Sequence, residues 1–204
     1  DENIATSTYD ASGMENTGES INGPIWQSAS NCKSGTCLNF DGSNDYVRIP
    51  DSSSLNVNGN AFTVTAWIYR TAAANWQRIA GKYYYTGTDT GSWLLFLSDT
   101  NQTICRFNTG NWSSAQSVAT VSLNQWTFVA CVYDGESLKN YVNNSSTSIS
   151  KTGNIALSVH PVAIAVTTDG TNIQNPFTGR VDEVRIYNRA LSPEEILTLY
   201  NDLK

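Results

Sequence analysis

Few side chains in this 204-residue chain have a type and spacing suited to making or breaking bonds. His160 is the one histidine. It precedes Pro161 beside a strand-like run, which is a poor position for the base of a serine or cysteine triad. A retaining glycosidase needs two carboxylates held about 5 Å apart. Asp182 and Glu183 are neighbours in strand-like text, so they point to opposite faces, and Glu194-Glu195 belong to a helix start. Phosphate-binding glycine loops and dinucleotide fingerprints do not occur. The four cysteines show no C-x-x-C spacing, which with a single histidine argues against zinc. No catalytic residue is assigned, and the chain is read as a non-enzyme.

Binding chemistry has better candidates. An aromatic ring offers apolar area to the C–H face of a sugar, while nearby amides and charges read its hydroxyls. Trp76 in "NWQR", the run Tyr83-Tyr84-Tyr85, and Trp112 in "TGNWSS" are such rings. "KYYYTGTDTGSW" places the tyrosines with Lys82 and Asp89 among glycines, as an exposed binding loop would. The alternative is that these rings cover a sheet edge or pack beneath a loop. Trp67 and Trp126 sit in strand-like text and are assigned to packing.

The elements that must position these groups are mostly strands. In "FTVTAWIYR", Phe62, Val64, Ala66 and Ile68 share one face, and Thr63, Thr65, Trp67 and Tyr69 the other. "QWTFVACVYDGESLKNYVNN" reads as a hairpin with Asp134-Gly135 in its turn. "DYVRIP", "SWLLFLS", "HPVAIAVT" and "GRVDEVRIYN" are further strands, and turn signals recur at the spacing of a sandwich. One helix is legible. Ser192 is its N-cap, Pro193 takes the first position, and Glu195 completes a capping box. Leu191 and Ile196 form a hydrophobic staple, and Ile196, Leu199, Tyr200 and Leu203 make one apolar stripe. No repeat or linker divides residues 1–204, so one domain is expected.

Net charge is −6 with scattered basic residues, so a nucleic-acid partner is not expected. No apolar run approaches the ~18 residues of a membrane span. The abrupt start at "DENIATSTYD" suggests a piece of a larger multidomain chain. Cys32 and Cys37 enclose "KSGT" and read as a small disulfide loop. Cys105 and Cys131 lie in strand-like text, either bridging neighbouring strands or standing as buried thiols. Bridged cysteines imply an extracellular or cell-surface location.

The order of "GTCLNFDGSNDYVRIPDSSSL", "FTVTAWIY", "NQWTFVACVYDGESLKNYVNN" and "GRVDEVRIYNRALSPEEILTLYN", with "YDASGMENTG" as an opening turn, resembles the laminin-G-like, concanavalin A-like jelly-roll domains of microbial surface proteins. The resemblance implies an all-β sandwich of two antiparallel sheets with one short C-terminal helix. It leaves the ligand open, since fold is not function.

It also bears on Asp182, the aspartate that opens an otherwise apolar strand face. Alternation puts Asp182 on the side of Val184 and Ile186, toward the core, where a carboxylate needs donors or a cation. In similar sandwich domains, laminarinase-type hydrolases included, this aspartate holds a structural calcium. Carried over by motif, the partners here are Asp41 or the Gly42 carbonyl in "FDG" and an acid from Asp1-Glu2. Asp10 with Asn16 is a second set, because "DASGMEN" spaces oxygens around a turn. Without a cation, Asp182 pairs with Arg180 or caps backbone amides. The expectation is therefore an extracellular, non-catalytic recognition module for carbohydrate or a cell-surface protein, steadied by calcium. The alternative is an adhesive spacer with no small ligand.

Overall fold

A computed structural model describes residues 6–57 and 59–203. Asp1 and Glu2, expected among the calcium ligands, lie outside the described residues.

Two large antiparallel sheets face each other. The eight-stranded sheet runs, edge to edge, Ser7–Thr8, Gly18–Ile21, Tyr46–Ile49, Val162–Ile164, Arg78–Tyr85, Asp89–Leu97, Gln102–Asn108 and Trp112–Thr120. The seven-stranded sheet runs Ser145–Ser150, Ser137–Val142, Trp126–Tyr133, Phe62–Arg70, Thr178–Tyr187, Cys37–Asp41 and Ile25–Gln27. A two-stranded ribbon, Thr167–Thr168 with Ile173–Gln174, lies beside them. This is the expected jelly-roll sandwich.

The core forms between the sheets because strand alternation sends one side chain in two inward. Phe62, Val64, Ala66 and Ile68 enter it from the seven-stranded sheet, as their spacing predicts. Ile79, Trp93, Leu95 and Phe107 enter from the other. Phe62 meets Trp93 at 5.1 Å and Phe107 at 5.3 Å between ring centroids.

Both disulfides are present. Cys32–Cys37 closes a small loop, as read from the sequence. Cys105 and Cys131 are not on neighbouring strands. They belong to opposite sheets, so their bond ties one layer of the sandwich to the other.

The outer faces of the two sheets are treated differently. The helix Pro193–Asp202 lies on the seven-stranded sheet, with Ser192 in the predicted capping box. Leu191 and Ile196, with the half-buried Leu199, Tyr200 and Leu203, pack against Trp67, Phe128 and Tyr141. Trp67 is thus buried, under the helix rather than in the inter-sheet core. The outer face of the eight-stranded sheet carries no helix among the described residues.

Candidate functional site

The expected loop "KYYYTGTDTGSW" is a hairpin instead. Arg78–Tyr85 pairs with Asp89–Leu97, so the tyrosines are strand residues. Gly91, at φ +123°, lies so close to the opposing strand that a Cβ would stand 2.4 Å from the Lys82 carbonyl oxygen. The ladder shifts register between Lys82 and Tyr83. The extra residue is Ser92, on the opposing strand, so Lys82 and Tyr83 keep the ordinary alternation. Lys82 pairs opposite Trp93, a core residue, and its buried ammonium reaches Asp51. Tyr83 turns outward to join Leu94, Phe96 and Ile104.

Four of the five aromatic candidates meet on this outer face. Tyr83 and Trp112 make an edge-to-face pair at 5.3 Å, and Trp76 lies 6.1 Å from Phe96. Tyr85 borders a cleft of about 500 Å³ together with Arg78, Tyr83, Gln174 and Asn175. Tyr84 does not join them: it is buried, with its ring 6.4 Å from that of His160. His160 Nε2 lies 2.9 Å from the Thr90 hydroxyl, and burial lowers its pKa. Trp76 and Tyr85 are 43% and 48% exposed, whereas Tyr83 is 3% exposed. Tyr83 therefore lines the face as a fixed wall rather than as a free platform.

Polar groups hold these rings in place. The carboxylate of Asp89 accepts the Tyr83 hydroxyl on one oxygen and pairs with Arg106 on the other. Burial pushes the Tyr83 phenol up to about 12, and the bond to Asp89 adds to the effect. The Arg106 guanidinium lies 4.9 Å from the centre of Trp112, whose indole N–H points at the Asp89 carbonyl oxygen 3.4 Å away. Arg78 stacks over Phe96 at 4.6 Å. Its backbone N–H donates to Asn175, and Gln174 donates its side-chain amide to the Tyr85 carbonyl, which brings a second segment to the cleft rim.

The sequence reading missed Arg78, Arg106, Phe96, Gln174 and Asn175. Arg106 was within reach, because "TICRFN" alternates and places it beside Ile104 on the face opposite Cys105. Arg78 was not, because a bulge separates it from the tyrosines.

Asp182 has another role. A register shift between Asp182 and Arg185 inserts one extra residue, with Glu183 at φ +51°. Val181, Val184 and Ile186 therefore all pack on the core, while Asp182 stands opposite Trp67 on the outer side. The expected shared face of Asp182, Val184 and Ile186 is overturned by that bulge. The carboxylate is 7% exposed and accepts three backbone N–H groups, from Lys33 at 2.7 Å, Ser34 at 3.0 Å and Glu183 at 2.8 Å. It lies within 4.8 Å of the Cys32 and Cys37 sulfurs, which are bonded to each other. Burial raises its pKa, and the three amides oppose the shift.

Among the described residues, the expected calcium ligands Asp182 and Asp41 do not converge. Asp41 pairs with Thr178, four residues and so about 13 Å along the strand from Asp182. Its carboxylate accepts the N–H groups of Ser43 and Asn44 in its own turn, where Gly42 takes φ +79°. Asp10 accepts the N–H groups of Ser12 and Asn16 and the Asn16 side-chain amide. Calcium asks for six to eight oxygens around one point, and these carboxylates are surrounded by N–H donors. The described residues do not fit a calcium bridging Asp182 and Asp41.

A family model described as the concanavalin A-like lectin/glucanases superfamily, of laminin G type, matches residues 41–197. The chain belongs to that superfamily. Among solved structures, this laminin G-type domain is similar to the binding domain of Paraclostridial Mosquitocidal Protein 1, at 18% identity and a TM-score of 0.75. The match covers 98% of this chain and 52% of that one, so the domain spans about half the length of that structure. It is also similar to domain 4 of an extracellular arabinanase from Geobacillus stearothermophilus, solved in complex with arabinotriose. There the identity is 20%, the TM-score 0.66, and the coverage 87% of this chain and 81% of that one. A pentraxin from Limulus polyphemus follows at 16% identity and a TM-score of 0.61, covering 79% and 80%. At these identities the likeness is one of fold. No curated protein matches the chain.

Proposed function

We propose that this laminin G-type domain is a non-catalytic, extracellular module that recognises carbohydrate on the outer face of its eight-stranded sheet. The observation that carries the reading is the gathering of Trp76, Tyr83, Tyr85 and Trp112 on the outer face that bears no helix, where Tyr83 and Tyr85 border a cleft with Arg78, Gln174 and Asn175. Rings for the C–H faces of a sugar and fixed polar groups for its hydroxyls are what such a ligand requires. The arabinanase domain solved with arabinotriose and the binding domain of the mosquitocidal protein support the reading. Asp89 is engaged by both the Tyr83 hydroxyl and the Arg106 guanidinium, which favours binding over hydrolysis. The two disulfides favour an oxidising, extracellular setting. No helix among the described residues is long and apolar enough to cross a membrane.

The test is a glycan array followed by calorimetry on the hits. Binding without turnover, weakened by Trp112→Ala, supports the reading. Silence across plant, microbial and host glycans counts for the adhesive spacer instead, and turnover lost with Asp89→Asn would make the domain an enzyme.

A further inference from the structure

Four Asn-x-Ser/Thr triplets occur in the chain, at Asn101, Asn111, Asn143 and Asn144. The pattern is the acceptor for N-linked glycans on secreted proteins. Two groups must be presented together: the asparagine amide nitrogen and the hydroxyl two residues on. The attached glycan also needs an open path to solvent. The fold sorts the four triplets on these requirements.

Asn101 does not meet them. Its Oδ1 accepts from Nη1 of the buried Arg70. Its partner hydroxyl, on Thr103, is 0% exposed and donates to Asn140 at 2.9 Å. Asn143 is excluded differently. Phe128 donates its N–H to Asn143 Oδ1 at 3.0 Å and accepts the Asn143 N–H at 2.8 Å. The carboxamide thus stands in for a backbone carbonyl and belongs to the sheet ladder. Asn111 is exposed, but the rest of its triplet is held in the outer face: Trp112 packs on Tyr83, and Ser113 pairs with Phe107. Asn144, Ser145 and Ser146 are all exposed, where the chain turns from Ser137–Val142 into Ser145–Ser150.

The place of that turn in the fold points the same way. Ser145–Ser150 is an edge of the seven-stranded sheet and pairs on one side only. Its sequence, "SSTSIS", carries neither the charges nor the proline that keep an open edge from pairing with another chain. A bulky, hydrated group at its first turn would shield it. Lys151 reaches the Asn111 carbonyl oxygen and Thr147 that of Gln116. Asn144 therefore lies at the end of this edge away from Trp112, and a glycan there leaves the aromatic face free.

We infer that Asn144 is an N-glycosylation site, the acceptor triplet that the folded domain presents whole. The inference rests on the extracellular setting proposed above and not on the sugar-binding face. The donor is a lipid-phosphate-linked oligosaccharide. Asn144 Nδ2 bonds to its anomeric carbon, the C–O bond to phosphate breaks, and the lipid phosphate leaves. The displaced amide proton passes to the transferase.

The experiment is glycopeptide mass spectrometry on the full chain recovered from the medium or surface of the cells that make it. The expected result is an oligosaccharide on the peptide that carries Asn144 and none at Asn101 or Asn143. Asn144→Gln should lose it. Ser146→Ala should lose it as well, with the asparagine intact, and Ser146→Thr, which keeps the hydroxyl, should retain it. All of these positions are exposed, so circular dichroism should show each variant folded. An unmodified Asn144 peptide would overturn the inference, as would a glycan at Asn111 in its place, modification of Asn101 or Asn143, or a Ser146→Ala chain that keeps its glycan. An unmodified chain that still binds sugars would remove this inference and leave the carbohydrate reading intact. A chain glycosylated at Asn144 but silent on the glycan array would do the opposite.

Discussion

The backbone N–H of Lys33 donates to the carboxylate of Asp182 at 2.7 Å, across a separation of 149 residues. Ser34 donates to the same oxygen at 3.0 Å. One side chain on the Thr178–Tyr187 strand thereby fastens the loop closed by Cys32 and Cys37. The aspartate in "VDEVRIYN" is a cap for distant backbone.

Removing that cap should cost stability. Asp182→Ala leaves the Lys33, Ser34 and Glu183 amides without their acceptor, at about 3 kcal/mol by the usual cost of buried unsatisfied donors. Urea denaturation reads it directly. Calcium or a chelator should shift the melting of wild type and variant alike by nothing measurable. A wild-type melt that falls on chelation, with an unresponsive Asp182→Ala, would restore the calcium clamp.

The two disulfides should differ in weight. Cys105–Cys131 joins opposite sheets over a sequence separation of 26, Cys32–Cys37 over only 5. By loop-closure entropy the first stabilises by roughly 3.5 kcal/mol and the second by roughly 2. Cys105→Ala with Cys131→Ala should lower the denaturation midpoint more than the pair Cys32→Ala and Cys37→Ala. The reverse order would mean that the Asp182-anchored loop matters more than the tie between layers.

Glu195 gives a pH signature. The Arg189 guanidinium and the Ser192 amide pull its carboxyl down to about 2 from a usual 4.5. A lowered folded pKa means that the contribution is complete above the unfolded value, near 4.5, and is lost as pH falls toward about 2. The stability gap between wild type and Glu195→Gln should be constant near neutrality and close below pH 4.5. Melting both proteins from pH 7 downward checks the sign.

Much of this architecture is legible in the residues. Period-two spacing from Phe62 to Ile68 identifies the core face, and the Ser192 capping box identifies the helix. The cysteine spacing identifies the first disulfide. The site was legible only in part, because two bulges break the alternation on which such reading depends. Between Arg78 and Ala80 a bulge brings Arg78 to the face of Tyr83, five residues on. At Asp182 another moves a carboxylate from the core side to the outer side. Trp76 and Trp112 were identifiable as rings, but their common face arises from pairing between strands distant in sequence.

The central claim is that the outer face of the eight-stranded sheet binds sugar through its aromatic rings. Titration calorimetry of the wild type and Trp112→Ala, with the strongest hits of a glycan array, tests it most directly. The account predicts saturable binding by the wild type and a loss of roughly tenfold or more in the variant, with both proteins folded. Equal affinity in the two proteins would contradict it.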